Sequence, residues 1–298
     1  MIYIDNTSLS MFKECPQKYF LGIEQGYRTK SAAPPLLFGK IFHDCLEFFE
    51  RMAIILPRED ALRLTIRKAV ADARPLAALQ DDKRNKVSLL RALIWYEMAY
   101  ANDEMKTVIL SDGRPAVELS FRLEFPLKLY NWETDEEEGV IYCGHIDKIV
   151  EYNNQLLAME HKHTVSTLGD YYYDRYVFSS QISGYVMAIR VIWGMDAVGA
   201  VIDSTALGVT FARFGRRVAS RVADHIEEWI EDTAYWIKQV YEAKKNQHYP
   251  RNTESCSKYG GCQFKEYCFV RPSARPAILA SDFRVEKWDP MKPRGIEE

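Results

Sequence analysis

The sequence predicts a mixed α/β domain with a helical N-terminal part, and three observations predict it. Apolar residues recur at helical spacing in FGKIFHDCLEFFERMAIIL, where Ile41, Cys45, Phe48, Phe49 and Met52 fall on one side. From Pro115 the pattern changes, and AVELSFRLEFPL alternates apolar and polar residues as a half-buried strand does. Further on, IYCGHIDKIVEY and QLLAMEHKHT meet at Asn153-Asn154, and asparagine tolerates the positive φ of a tight hairpin turn.

Each element has its own signal. A short helix is expected over SLSMFKECPQKYFLG, with Thr7 or Ser8 as its N-cap. A loop at SAAPP precedes the amphipathic helix, and two more helices follow at 57–74 and 85–105, the second carrying Leu89, Leu93, Tyr96 and Tyr100. The acidic run ETDEEEG (133–139) reads as a solvated loop. Ile182, Tyr185, Val186, Ile189 and Trp193 mark a helix over 176–194. AVGAVIDST and LGVTFARFG read as strands, and Val222, Ile226, Trp229, Ile230, Ile237 and Tyr241 mark a long helix over 218–246. The order is helices, antiparallel strands, helix, strands, helix.

The 298 residues, 47% hydrophobic and 27% charged, suit one large or two modest domains. A net charge of −3 argues against a protein that coats nucleic acid through a global field, so any such contact is a local groove. No run of about 18 apolar residues is present, so a membrane span is not expected. The N-terminus lacks a basic segment followed by an apolar core, and six cysteines without a signal point to a reducing, cytoplasmic setting.

The chemistry concentrates at AMEHKHT. Glu160 and Lys162 point the same way on a strand, and pairing across the Asn153-Asn154 turn sets Asp147 opposite or diagonal to Glu160. Two carboxylates so close repel, and a hard divalent cation relieves that repulsion. A lysine beside the ion can orient water and steady negative charge on a phosphate. Taken alone, an E-x-K on a strand is an exposed, salt-bridged face.

The surrounding motifs favour the chemical reading. Ser8, Phe12, Cys15, Pro16 and Tyr19 are followed by Gly39 and His43, Gly144 and Asp147, Glu160 and Lys162, then Gln181 and Tyr185, and finally a cysteine cluster. In this order they resemble the PD-(D/E)XK nucleases, in particular the RecB-like branch with its AddB-type domains and CRISPR-associated iron–sulfur exonucleases. The resemblance implies a restriction-endonuclease-like core, a central mixed sheet flanked by helices, in a single nuclease domain over 1–298. Its parts would be a helical segment (1–110), a catalytic core (111–246) and a cysteine region with tail (247–298). It implies Mg²⁺ or Mn²⁺ held by Asp147, Glu160, His43 and the backbone carbonyl of His161. Lys162 would position the attacking water, and Gln181 and Tyr185 would contact DNA or brace the site. Glu118 reads either as an outer acid of that site or as a solvated strand residue. His145 shares a face with Asp147, whereas the side chains of His161 and His163 are expected to point away.

Cys256, Cys262 and Cys268 recur every six residues, and Cys15 stands alone beside Pro16. The resemblance implies that these four bind a four-iron–four-sulfur cluster, with zinc as the alternative because the first C-terminal spacing is longer than is usual in the branch. Cys45 and Cys143 sit in apolar patterns and are expected in the core. Arg213, Arg216, Arg217 and Arg221, or Lys83, Arg84 and Lys86, are candidates for a phosphate groove. The aromatics of YYYDRY (171–176) suit unpaired bases or the core.

The expected function is a metal-dependent DNA exonuclease acting on single strands or ends in recombination, repair or CRISPR-type processing. A structure-selective endonuclease and a non-catalytic DNA-binding scaffold are the alternatives. No Walker-type phosphate loop is present, so a helicase or recombination partner would be a separate protein.

Overall fold

Asp5 and Asn85 cap the helices that begin at Asn6 and Lys86, and one asparagine turn separates two central strands. The computed structural model describes residues 1–30, 34–78, 81–258 and 261–292. In chain order the first elements are β1 (Ile2–Asp5), α1 (Asn6–Glu14), α2 (Pro16–Tyr19), β2 (Tyr27–Thr29), α3 (Pro34–Ile55), α4 (Arg58–Asp72), α5 (Lys86–Ala99) and β3 (Lys106–Thr107). Next come β4 (Val117–Asn131), β5 (Glu136–Tyr152), β6 (Gln155–Thr164), α6 (Asp170–Val177), α7 (Ser180–Trp193), β7 (Ala197–Leu207) and β8 (Ala212–Ser220). The chain continues with α8 (Ala223–Lys245), α9 (Lys265–Phe269), α10 (Arg275–Asp282) and β9 (Phe283–Val285). The described residues within 33–121 and 145–226 form one compact unit, and those within 1–32, 122–144 and 227–292 form another.

In the larger unit, the strands run β5-β6-β7-β8. β5 and β6 are antiparallel, β6 and β7 parallel, β7 and β8 antiparallel, so the sheet is mixed as expected. The β5–β6 hairpin turns at Asn153 and Asn154, both left-handed with φ of 50° and 58°. Phe38 and Phe42 of α3 join Leu89 and Leu93 of α5 with Leu207 and Ala212 in a core on one face. Each of these Phe and Leu side chains contributes roughly 1.5–3 kcal/mol when removed from water. α7 lies against β6 and β7 on the other face, where its Tyr185 meets Glu160. The same α3 ties down β5 through a buried ion pair, Glu50 to Lys148 at 2.7 Å, with Thr107 donating to the second Glu50 oxygen.

In the smaller unit, β1 runs parallel to the first part of β5, from Ile2 opposite Val140 to Asp5 opposite Cys143. Phe125 and Tyr142 meet Trp229 edge-on at 5.9 and 5.3 Å. Leu21, Phe264 and Phe283 form a second core beneath the two-stranded β2–β9 ribbon.

Several expectations shift. The N-cap of α1 is Asp5, whose carboxylate accepts from the Ser8 N–H at 2.7 Å, and Ser8 answers as the third helical residue rather than the cap. Glu136 to Gly139 of the acidic run belong to β5, because the turn between β4 and β5 needs only 132–135. α5 ends at Ala99, since Asp103 folds the chain back and accepts from the Met105 N–H. The helix expected over 176–194 begins only at Ser180, after the extended Ser179, and is α7; a separate helix that the sequence reading did not mark, α6, precedes it. The strand expected at LGVTFARFG starts at Ala212, after a turn closed by the Gly208 N–H on the Phe211 carbonyl. Residues 31–33 of the SAAPP loop lie outside the described residues. β1, β2 and β9 carry no sequence signal because they are three or four residues long. Among the described residues, no helix is long and apolar enough to cross a membrane.

Candidate active site

The β5–β6 ladder runs from Tyr152 opposite Gln155 to Lys148 opposite Met159, and the next pair in that register is Asp147 and Glu160. Here Asp147 Oδ2 accepts the backbone N–H of His161 at 2.8 Å. His43, near the middle of α3, brings Nδ1 to 3.4 Å from the same oxygen. Glu118, at the start of β4, completes a trio: one donor atom each from His43, Glu118 and Asp147 lie within 4.8 Å of one another. Glu118 adopts φ of +49°, which a non-glycine residue inside a strand rarely holds. Strain of this kind persists where the surroundings over-determine it, and it turns this carboxylate toward the cluster. Two carboxylate oxygens and an imidazole nitrogen are a donor set suited to Mn²⁺ or Mg²⁺, so these residues fit a divalent ion.

Glu160 and Lys162 follow on the same side of β6 and touch through Lys162 Nζ and Glu160 Oε1. Tyr185 donates its hydroxyl to the other Glu160 oxygen at 3.0 Å and accepts from the Gln181 amide at 2.7 Å. Gln181 in turn offers its carbonyl oxygen to Lys162 at 3.5 Å. One turn of α7 therefore holds both members of the E-x-K pair, since residues four apart share a helix face.

The charges settle unequally. Burial pushes Asp147 up, but the His43 imidazole beside it, with His161 and Lys162, holds its carboxyl below the usual range. Glu160 moves the other way, raised by burial and by the Asp147 charge against the opposing pull of Lys162. Burial disfavours charge on His43, yet Asp147 outweighs it and lifts the imidazole to about 9. Lys162 is also raised, because Glu160 and Asp147 overcome its desolvation, so it stays an ammonium and a donor, not a base.

The sequence-predicted residues His43, Asp147, Glu160, Lys162, Gln181 and Tyr185 thus meet in one place. Glu118 is the residue that sequence reasoning left undecided, and no local pattern in VELSF signals its left-handed backbone. The odd-numbered residues of β6 turn away as expected. His161 places Nδ1 3.5 Å from buried Asp203. His163 Nε2 bonds the Pro35 carbonyl at 3.0 Å. His145 shares a hydrogen bond with the Ser120 hydroxyl at 2.9 Å.

Two arginines leave the proposed groove. Arg216 is held by both oxygens of Asp103 at 2.7 and 2.8 Å and by Asp203 at 3.1 Å, stacked on Tyr100. Arg221 is buried against Ser183, because ion pairing and hydrogen bonding absorb these guanidinium groups into the fold. Arg213 and Arg217 remain exposed. Lys83 is exposed, whereas Arg84 pairs with Asp81. Within YYYDRY, Tyr172 and Tyr173 are buried, while Tyr171 is 90% exposed.

The smaller unit gathers the other cysteines. Cys15 Sγ accepts the Asn252 N–H at 3.4 Å, and Asn252 and Ser255 both bond the Glu14 carbonyl, at 2.9 and 2.8 Å. The Cys262 N–H bonds the Cys256 carbonyl at 3.0 Å. Burial raises the Cys262 and Cys268 thiols, and the sulfurs of Cys15 and Cys256 push both further in the same direction. Among the described residues, these sulfurs do not gather within 4.8 Å of one another as the donor atoms of His43, Glu118 and Asp147 do. Cys45 and Cys143 are buried core residues, as expected.

Residues 6–269 match the sequence model of the PD-(D/E)XK nuclease superfamily. Among solved structures, the chain resembles the crystal structure of a "Putative exonuclease" from Eubacterium rectale, with a TM-score of 0.54 and 11% identity over 90% of this chain and 89% of that one. A second match, the crystal structure of SSO0001, covers 80% of this chain and 95% of that one at 13% identity, and its TM-score of 0.33 carries no argument. Among proteins with curated descriptions, none matches.

Proposed function

Because the chain belongs to the PD-(D/E)XK nuclease superfamily, we propose that it is a divalent-metal-dependent deoxyribonuclease, an exonuclease on single-stranded DNA or DNA ends. One observation carries the reading: Asp147, Glu160 and Lys162 meet where β5 and β6 pair, with His43 and Glu118 beside them. His43, Asp147, Glu118 and Glu160, with the carbonyl of His161, would hold Mg²⁺ or Mn²⁺, which when bound polarises a phosphate and acidifies water. Lys162, kept charged by Glu160, donates to the attacking water or to the phosphate oxygen as negative charge develops there. Tyr185 and Gln181 fix Glu160 and Lys162, so the reacting groups need little rearrangement. The neighbour described as an exonuclease lends the end-directed reading. The pathway envisaged is recombination, repair or CRISPR-type processing with a separate helicase or recombination partner, in the cytoplasm.

Cys15, Cys256, Cys262 and Cys268 would bind a four-iron–four-sulfur cluster in the smaller unit, with zinc as the alternative occupant.

The test uses end-labelled linear and circular single-stranded DNA with Mn²⁺, Mg²⁺ or EDTA. Metal-dependent degradation of the linear strand, with the circle intact and Lys162→Ala inactive, is expected. Cleavage of the circle would make the protein an endonuclease. Absence of cleavage with either metal would overturn the nuclease reading.

A further inference from the structure

The histidine that follows Lys162 takes no part in the arrangement above, yet it explains why the helix carrying His43 has a glycine one turn earlier. His163 is half-buried on the α3 side of β6, its ring 5.5 Å from that of Phe38. Its Nε2 bonds the Pro35 carbonyl at 3.0 Å, and because a carbonyl oxygen only accepts, Nε2 carries the hydrogen. Pro35 lies in the first turn of α3. A carbon added at Gly39 would overlap His163 Cε1 and press on Nδ1 at 3.1 Å. The ring therefore fills the place of a side chain at Gly39 while gripping the backbone one turn before it. His43 follows Gly39 by one further turn, and its imidazole reaches Asp147.

We propose that His163 is a positioning residue that sets the height and rotation of α3 against the Glu160–Lys162 strand, and so places His43 at the metal site, with Gly39 as the socket for its ring. The inference rests on the reading that His43 and Asp147 hold a divalent ion, and it adds the device that aligns them. Helix α3 has other contacts with the sheet unit, such as Glu50 with Lys148, but that pair lies two turns beyond His43. His163 grips the end of the helix before it. Phe38 and Phe42 keep the first turns packed in the core, but such apolar contact is non-directional, so loss of this grip frees the height and rotation of those turns rather than detaching them.

Mn²⁺ binding to the full-length protein, measured by titration calorimetry, tests this without any substrate. The variants are His163→Ala, Gly39→Ala, the double variant, Asp147→Ala as the reference for the site, and Thr65→Ala as a core lesion in α4. Changing a group that orients a metal ligand typically costs about 10–100-fold in affinity, so His163→Ala and Gly39→Ala should each weaken Mn²⁺ by at least about tenfold. The double variant should be no weaker than His163→Ala, because the added methyl then meets no ring. Thr65→Ala should bind Mn²⁺ normally even where its thermal midpoint falls as far as that of His163→Ala. Unchanged affinity in His163→Ala, additive losses in the double variant, or an equal loss in Thr65→Ala each overturn the proposal while the metal site stands. Native protein that binds no Mn²⁺, or binds it equally well as Asp147→Ala, overturns the metal site and this inference with it.

Discussion

Removing a single oxygen, in Tyr185→Phe, tests how much the site depends on its support. The hydroxyl is buried, donates to Glu160 Oε2 at 3.0 Å and accepts from Gln181 at 2.7 Å. A hydrogen bond to a charged group contributes about 1.5–3 kcal/mol, and 1.4 kcal/mol is about tenfold in rate. If most of that contribution is expressed in the transition state, the rate falls about 10–150-fold. Glu160 is already raised by burial and by Asp147, so losing this donor raises it further and moves the acidic limb of the pH–rate profile upward. The stability cost should be of the same size, about 1.5–3 kcal/mol, because the bond lost is to buried Glu160, whereas Gln181 is only half-buried and turns to water. The assay is initial rates on end-labelled single-stranded DNA with Mn²⁺ from pH 5 to 9, alongside urea unfolding of the metal-free protein. Tyr171→Phe, which alters an exposed hydroxyl, is the control. A native rate and pH profile in Tyr185→Phe, with only a lowered unfolding midpoint, would refute the bracing role and leave Tyr185 an ordinary core residue.

Asp147→Ala and Lys162→Ala should each abolish cleavage and leave the circular dichroism spectrum and the metal content of the cysteine site unchanged. Retained cleavage in either would remove that residue from the active site. With His43 raised to about 9, the metal-free protein draws stability from the His43–Asp147 pair that is full below about pH 6.5 and lost as pH rises through about 9. Mn²⁺ must displace that proton, so its affinity should rise with pH up to about 9, with close to one proton released in calorimetry across buffers; a pH-independent affinity would contradict this. Asp203→Ala should cost about 1–3 kcal/mol in urea unfolding, because it removes the acceptor of the buried Tyr96 hydroxyl at 2.5 Å and one contact of Arg216 at 3.1 Å, while Asp103 keeps Arg216 paired. Anaerobically purified protein should be brown with about four iron atoms per chain, and Cys15→Ser should lose the colour; colourless protein with bound zinc would reassign the cysteine site.

The parts of this site that follow from alternation and spacing were legible in the chain. Glu160 and Lys162 share a face because they are two apart on a strand, and Gln181 and Tyr185 share one because they are four apart on a helix. Asn153-Asn154 announces the turn that brings Asp147 opposite Glu160. What could not be read depends on tertiary context. Glu118 reaches the cluster through a left-handed backbone that its neighbours impose. Arg216 looks like any surface arginine until Asp103 and Asp203 arrive from other elements to pair with it. β1, four residues long, exists as a strand only because β5 offers it a ladder.

The Asn153–Asn154 turn also limits how this gene can change length. In a hairpin, parity matters more than distance: one residue added between Asp147 and Glu160 would swap inward for outward positions on one strand and carry one carboxylate to the wrong side of the sheet. Two added residues would restore the alternation at the cost of a looser turn. Length variants of this protein should therefore tolerate even changes in this segment far better than odd ones, although a single residue is the smaller edit.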